Sequence, residues 1–226
     1  MKELKSGTIA IGGTNLFASY VLPPLLSRFT EQYPQVQVNL VEATTSQLTD
    51  RLFSGSLDLL IDNKSMDPAI YQKSFFCEEH LLLAVPIRLS VNEKMKNYAL
   101  TAFDIRENRH LNSRIPPVPL ENFQEESFLL LKSGNDTRTR ADRICHNAHV
   151  IPKIKLELDQ QITAYNLSRY GMGISFCSDT LVRHVPDAGG LVYYKLNHQD
   201  ALRDVNFYYK RNRYMPRIVS TFLDMI

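Results

Sequence analysis

The chain has 226 residues, of which 44% are hydrophobic and 22% charged, and its formal net charge is only +2. These values are typical of a globular protein that forms one large domain or two small ones. The weak net charge gives no argument for binding to nucleic acid or to a membrane surface. No apolar run approaches the roughly 18 residues of a membrane-spanning helix.

The first sixty residues alternate between strand and helix patterns. A β-rich run at residues 8–13 precedes Thr14 and Asn15, residue types that commonly cap helices. Apolar residues then recur at helical spacing: Leu22, Leu25, Leu26 and Phe29. Residues 36–41 show the alternating side-chain pattern of a strand. A second helix is predicted to end at Gly55. Residues 57–62 form an apolar run, which is typical of a strand covered on both faces.

Polar residues follow each of these predicted strands. They are Thr14, Asn15, Thr44, Thr45 and Asn63. Parallel α/β sheets bind ligands at the carboxyl ends of their strands, beside helix N-termini. We therefore expect these residues to line one wall of a ligand-binding cleft, and they include no obvious nucleophile–base pair.

The same stretch resembles the start of the effector-binding domain of LysR-type transcriptional regulators. Its marks are Gly-x-x-x-Ile in the first strand, Leu-Pro-x-Leu-Leu-x-x-Phe in the first helix, Tyr-Pro-x-Val at the second strand and Leu-x-x-Gly-x-Leu-Asp-Leu before the third. No single motif is specific for this family, but the occurrence of all four motifs in this order is. The resemblance implies an α/β fold of two Rossmann-like subdomains with a hinged cleft, similar to type 2 periplasmic binding proteins.

The rest of the chain continues this pattern. A strong strand at residues 81–86 is expected to cross into the second subdomain, and a second strand-helix-strand-helix-strand unit runs from Phe128 to Phe176. The resemblance places residues 1–85 and 187–226 in subdomain I and residues 86–186 in subdomain II. Residues 88–123 depart from the family pattern, and three prolines at 116, 117 and 119 exclude a regular helix there. That segment is either a surface embellishment or a lid over the cleft.

A second set of candidate ligand contacts lies in subdomain II. It consists of Ser133, Gly134, Asn135 and Gln161. The turn at residues 133–137 follows a strand and precedes a helix, so its free backbone amides can hold an anion or can simply cap the helix. Asp159 is a candidate cap for the following helix. Together the two walls predict a small anionic metabolite as ligand.

Other chemistries have weaker support. The three cysteines, Cys77, Cys145 and Cys177, are most simply reduced thiols, with a redox switch as the alternative. His146 and His149 stand one helical turn apart, but a solvated helix end is favoured over a metal site. The remaining histidines, His80, His110, His184 and His198, are scattered along the sequence and predict no cluster. Residues 210–213 are basic and lie among tyrosines, yet a solvated loop is favoured over a nucleic-acid patch.

The sequence contains no nucleophile elbow, phosphate-binding loop or dinucleotide fingerprint, so we expect neither an enzyme nor a cofactor. By resemblance, the chain senses a small-molecule effector and passes its state to a DNA-binding domain. The family's N-terminal winged helix-turn-helix is expected to be absent from this chain, which would then not bind operator DNA alone. The resemblance also implies a homodimer of this domain and a tetramer of the full protein.

We expect a cytoplasmic location, because the N-terminus lacks the apolar core of a signal peptide. The alternative function is a solute-binding protein of a transport system, which has the same type of fold and is normally exported. A small-molecule transferase or deaminase-like enzyme is a third alternative, and no motif supports it.

Overall fold

The computed structural model describes residues 6–226. The chain forms two compact units, Met1–Glu78 with Asp204–Ile226 and Glu79–Arg203. It passes from the first unit to the second within the strand Tyr71–Pro86 and returns near the start of the strand Leu202–Lys210.

These bounds differ from the expected division into residues 1–85 with 187–226 and residues 86–186. The difference arises because the strand Leu191–Lys195 pairs with residues 82–86 and thereby belongs to the second unit.

The strands are, in chain order, β1 (Gly7–Gly13), β2 (Val36–Glu42), β3 (Leu59–Asp62), β4 (Tyr71–Pro86), β5 (Ser127–Leu131), β6 (Lys153–Leu158), β7 (Ile174–Ser178), β8 (Leu191–Lys195) and β9 (Leu202–Lys210). The α-helices are α1 (Leu22–Gln32), α2 (Thr45–Ser54), α3 (Val91–Lys94), α4 (Ala102–Arg106), α5 (Asp136–Asn147), α6 (Gln161–Arg169), α7 (Asp179–His184) and α8 (Arg217–Met225). A π-helical segment, Phe17–Val21, leads directly into α1. None of the helices formed by residues 6–226 is long and apolar enough to cross a membrane.

The first unit contains a sheet in the order β2-β1-β3-β9. β1 is parallel to both β2 and β3, as the β-α-β-α-β pattern predicts, and β9 is antiparallel to β3. All four residues of β3 are buried, which confirms that this strand is covered on both faces.

The aromatic ring of Phe222 in α8 packs edge-on against Phe29 and Phe207, at centroid distances of 5.2 and 5.8 Å. The predicted apolar stripe of the last helix therefore covers this core.

The start and end of α2 follow the expected signals. Thr44 caps the helix, because its side chain accepts a hydrogen bond from the backbone of Gln47 while the Gln47 side chain accepts one from the backbone of Thr44. Gly55 ends the helix at φ 83°, in the left-handed region that favours glycine. This capping box accounts for the helix without any ligand.

The second unit contains a mixed sheet in the order β8-β4-β7-β5-β6. β4 is antiparallel to β7 and β8, whereas β5 is parallel to β6 and β7. The core of this unit includes Phe123, Phe128 and Tyr194, each of which is fully buried. The predicted second α/β unit is thus formed by β5, α5, β6, α6 and β7.

The segment 88–123 packs onto the second unit. Leu100 and Tyr193 exchange backbone hydrogen bonds of 2.9 Å in both directions, and the amide of Val118 donates to the carbonyl of Lys195 at 2.9 Å. Leu120 and Phe123 are buried in the same core as β5. The segment therefore has the contacts of an embellishment that extends the core of this unit.

The burial of two cysteines gives a first testable prediction. Burial raises the pKa of the Cys145 thiol to about 12, with Asp142 adding to the shift, and burial also raises the pKa of Cys177. Because the thiolate is the reactive species, the thiolate fraction of Cys145 falls about 10³-fold below that of an ordinary thiol. We expect iodoacetamide at mildly alkaline pH to modify the half-buried Cys77 first and to reach Cys145 and Cys177 only after unfolding in urea.

Mass spectrometry of tryptic peptides measures the three rates side by side, with Cys77 as the internal control. Alkylation of Cys145 in the folded protein at the rate of Cys77 would contradict this expectation.

Candidate functional site

The predicted strand-end residues of the first unit lie at one edge of its sheet. Gly13, the last residue of β1, pairs with Glu42 of β2 and with Ile61 of β3. The residues that follow these three positions, Thr14, Thr44 and Asn63 among them, therefore leave the sheet at the same edge. This geometry follows from the parallel direction of the three strands.

The hydrogen bonds of these side chains differ. The Thr45 hydroxyl donates to the buried carboxylate of Asp62 at 2.9 Å, and the Asn15 amide donates to Glu42 at 2.8 Å. The Thr44 hydroxyl is part of the α2 capping box. The half-buried Thr14 is different, because its hydroxyl makes no hydrogen bond to any group within residues 6–226.

Thr14 also stands at the beginning of a helix. The helical backbone starts at Asn15, and the Thr14 carbonyl accepts a hydrogen bond from the Ala18 amide at 2.8 Å. The helix then widens into the π-helical segment before α1. π-helical turns occur frequently at functional sites, and the first amides of a helix are donors without a partner inside the helix. Thr14 is therefore the best placed of the predicted residues to donate to a ligand.

The candidate residues of the second unit also share a sheet edge. Leu131 ends β5 opposite Leu158, the last residue of β6, so the turn that contains Ser133 leaves the sheet beside Asp159. Gly134 adopts φ 90°, a left-handed conformation that favours glycine, and a side chain there would meet open space. Asn135 caps α5 by accepting a hydrogen bond from the Thr137 amide at 2.8 Å.

One detail of this edge differs from the sequence-based interpretation. Asp159 does not cap α6, because its carboxylate accepts a hydrogen bond from Lys132 at 2.9 Å and Gln160 takes the capping position. Gln161 opens α6 as expected, and its side-chain carbonyl accepts a hydrogen bond from the Ser178 hydroxyl at 3.1 Å. Gln161 is thereby fixed against the end of β7.

The structure contradicts the expectation that the histidines form no cluster. His80 of β4 and His110 of the turn Arg109–Leu111 lie around Asp179, the first residue of α7. One oxygen of Asp179 lies 2.9 Å from His110 Nε2 and 3.0 Å from Arg183 Nη2, and the other accepts from the His80 amide at 2.9 Å. Sequence patterns give no sign of this cluster, because its members come from three distant elements.

The charge of Asp179 is stabilised by these neighbours. Burial by itself would raise the pKa of its carboxyl, but hydrogen bonds from His110, His80 and Arg183 outweigh burial and hold that pKa well below the usual range. Asp179 is therefore a buried carboxylate that stays ionised. His146 and His149, by contrast, are exposed at the end of α5, in agreement with the solvated helix end favoured above.

The basic residues at the end of β9 and just after it bond to backbone carbonyls of the first unit. Lys210 donates to the carbonyl of Phe53 at 2.7 Å, Arg211 to that of Pro68 at 2.9 Å and Arg213 to that of Gly55 at 2.9 Å. These hydrogen bonds anchor the loop to its own unit. They also leave the three basic side chains with fewer free N–H donors for the phosphate groups of a nucleic acid.

Comparisons with known proteins agree with this architecture. The sequence model of the LysR substrate binding domain matches residues 2–104 and 105–226. An uncharacterised HTH-type transcriptional regulator of Bacillus subtilis, YcgK, is 25% identical over 228 residues, which cover the whole chain and 68% of that regulator.

Two solved structures have the same fold. The regulatory domain of Synechocystis PCC6803 CcmR in complex with 2-PG gives a TM-score of 0.79 at 20% identity, over 97% of this chain and 95% of that one. The effector binding domain of QuiR in complex with shikimate gives 0.74 at 14% identity, over 98% and 95%. The predicted fold class, α/β of the type 2 periplasmic-binding-protein kind, is confirmed. The chain belongs to the family of LysR substrate-binding domains, a family of transcriptional regulators and not of enzymes.

Proposed function

We propose that this chain senses a small anionic metabolite and passes the bound state to a DNA-binding domain of the same regulator. The observation that carries the proposal is the Thr14 hydroxyl, which is half-buried at the sheet edge and has no hydrogen-bond partner within residues 6–226. A hydroxyl that makes no hydrogen bond within the protein is available to donate one to a ligand.

The charge of the ligand follows from the helix that begins beside Thr14. A helix N-terminus stabilises a nearby anion by about 0.3–1 kcal/mol, and its first amides donate hydrogen bonds to it. The neighbouring fold relatives are bound to 2-PG and to shikimate, and shikimate is a carboxylate. A carboxylate-bearing metabolite is therefore the ligand class that we propose.

The other predicted contacts have supporting roles in this proposal. The hydroxyls of Thr44 and Thr45 and the backbone amide of Thr44 already bond within the protein. A ligand would therefore meet this pair mainly through the Thr45 amide at the start of α2. Asn15 and Asn63 complete the set from the first unit. Ser133, Gly134, Asn135 and Gln161 are the proposed contacts from the second unit.

Signalling would follow from differential affinity. A ligand that binds one conformation of the domain more tightly shifts the population toward it, in proportion to the difference in binding free energy. We propose that the domain acts as a homodimer in the cytoplasm, within a tetramer of the full regulator, and has no catalytic role. The description of the relative YcgK as an HTH-type transcriptional regulator supports the link to a DNA-binding domain.

A thermal-shift screen of small carboxylates, amines and neutral sugars tests the ligand class and the wall together. We expect one or more carboxylates to raise the melting temperature of the wild type, because a ligand at 100 times its Kd stabilises by about 2.7 kcal/mol. Thr14→Val should lose most of the shift, since a hydrogen bond to a charged group contributes about 1.5–3 kcal/mol, equivalent to roughly 10- to 100-fold in affinity.

Thr30→Val is the matched control. Its hydroxyl bonds to the Leu26 carbonyl at 2.9 Å within α1, away from the sheet edge, so the variant should respond to carboxylates as the wild type does. Stabilisation by cations or neutral sugars alone would refute the anionic ligand. An unchanged response of Thr14→Val would refute the assigned wall and leave family membership untouched.

A further inference from the structure

Three potential metal ligands meet in the second unit. Asp179 Oδ2 lies 2.9 Å from His110 Nε2 and 3.5 Å from His80 Nδ1. One ligand atom from each of the three residues lies within 4.8 Å of the others. Around a tetrahedral zinc ion with bonds of about 2.0–2.1 Å, ligand atoms are about 3.3 Å apart, so small adjustments would bring the three atoms into a coordination shell.

The three ligands stand on well-packed elements. His110 and Asp179 are only 2% and 1% exposed, while His80 is half-buried on β4. His110 comes from the segment 88–123, which departs from the family pattern, and Asp179 is fixed at the start of α7. A cation bound there would thus be held by groups that the fold has already oriented, which lowers the entropic cost of assembling the site.

The imidazole of His110 is held through one nitrogen only. Its Nε2 faces Asp179, whereas its buried Nδ1 has no hydrogen-bond partner within residues 6–226. Burying an imidazole with an unsatisfied nitrogen costs free energy. A metal bound at Nε2 would place the ring proton of the neutral imidazole on Nδ1.

Arg183 contacts two of the three potential ligands. Its Nη2 donates to Asp179 Oδ2 at 3.0 Å and lies 3.4 Å from His110 Nε2, and its Nη1 donates to Asn108. The side chain is 31% exposed, so it can turn toward solvent about its own bonds. The guanidinium and a metal ion would exclude each other, because both require the same carboxylate oxygen.

We propose that His80, His110 and Asp179 form a binding site for a zinc-type transition-metal cation, and that Arg183 competes with the metal for Asp179. Two imidazoles and one carboxylate are a ligand set typical of zinc, with a fourth position left for water. Mg²⁺ and Ca²⁺ prefer oxygen ligands and are not expected to bind.

Isothermal titration calorimetry of the untagged protein with Zn²⁺ and with Mg²⁺ tests the proposal. We expect one Zn²⁺ per chain, no binding of Mg²⁺, and binding on the order of tenfold tighter in Arg183→Gln, because a competing positive charge is removed. His110→Gln and His80→Gln should abolish the zinc site. His80 is only half-buried, so His80→Gln is expected to fold even if His110→Gln does not.

His146→Gln serves as the control, since His146 is an exposed histidine at the end of α5 and should not affect the stoichiometry. Titration with Co²⁺ adds a spectroscopic test, because nitrogen and oxygen ligands in tetrahedral geometry give visible absorption bands. Unchanged affinity in Arg183→Gln would overturn the proposal. So would zinc binding that survives in His80→Gln, or that disappears in His146→Gln.

Discussion

Replacing Arg203 with methionine is expected to destabilise the protein by about 3–5 kcal/mol, because it removes one partner of a buried ion pair. Arg203 Nε donates to Glu79 Oε2 at 2.6 Å, and the two side chains are 1% and 0% exposed. The other end of the guanidinium donates to Asp136 and to the Thr137 hydroxyl, each at 3.0 Å. Without Arg203, the Glu79 carboxylate would remain buried and lose this countercharge.

Urea unfolding followed by circular dichroism measures the effect, since the chain has no tryptophan. Lys73→Met is the matched control. It breaks the ion pair with Asp204, whose 3.6 Å contact joins side chains that are 57% and 50% exposed, and exposed pairs contribute at most about 1 kcal/mol.

The double variant Glu79→Gln/Arg203→Met gives a further check on the cause. It removes the buried charge together with its partner, so we expect it to be more stable than Arg203→Met alone. Equal stability of the two variants, or a loss in Arg203→Met no larger than in Lys73→Met, would show that the ion pair contributes little.

The second large effect is expected for Asp179→Asn, with a loss of about 1.5–3 kcal/mol at neutral pH, because hydrogen bonds to a buried charged group are weakened. The substitution preserves the shape of the side chain and removes the negative charge that faces Arg183 and His110. Asp159→Asn is the matched control, because the Asp159 carboxylate pairs with Lys132 while being 64% exposed. The control should lose less than about 1 kcal/mol.

The pH dependence of Asp179→Asn follows from the direction of the pKa shift. The folded-state pKa of Asp179 is lowered, and its unfolded-state value is about 3.9. The stabilisation is therefore complete above about pH 5, and it is lost as the pH falls toward the folded-state pKa. The stability difference between wild type and Asp179→Asn should shrink as the pH falls below about 4, toward the folded-state pKa of Asp179. A difference that grows in this acidic range would contradict this assignment.

Local sequence patterns were sufficient for the architecture of the first unit. The spacing of Leu22 and Phe29 predicted a helix with both residues facing the core, and the apolar run before Asp62 predicted a strand buried on both faces. Each signal acts over a few residues, because helix and strand periodicity are properties of neighbouring positions. The common edge of Thr14, Thr44 and Asn63 followed from the same local order, since parallel strands end on one side of a sheet.

Only the tertiary structure revealed the two buried polar clusters. Glu79 and Arg203 are 124 residues apart, and His110 and Asp179 are 69 apart. No spacing rule links such positions, because contact between them depends on how β4, the segment 88–123 and α7 pack together. The sequence by itself determined the family, the order of elements and the strand-end candidates. Folding decided which charges and imidazoles are buried together, since burial and pairing are properties of the packed chain and not of any short stretch of it.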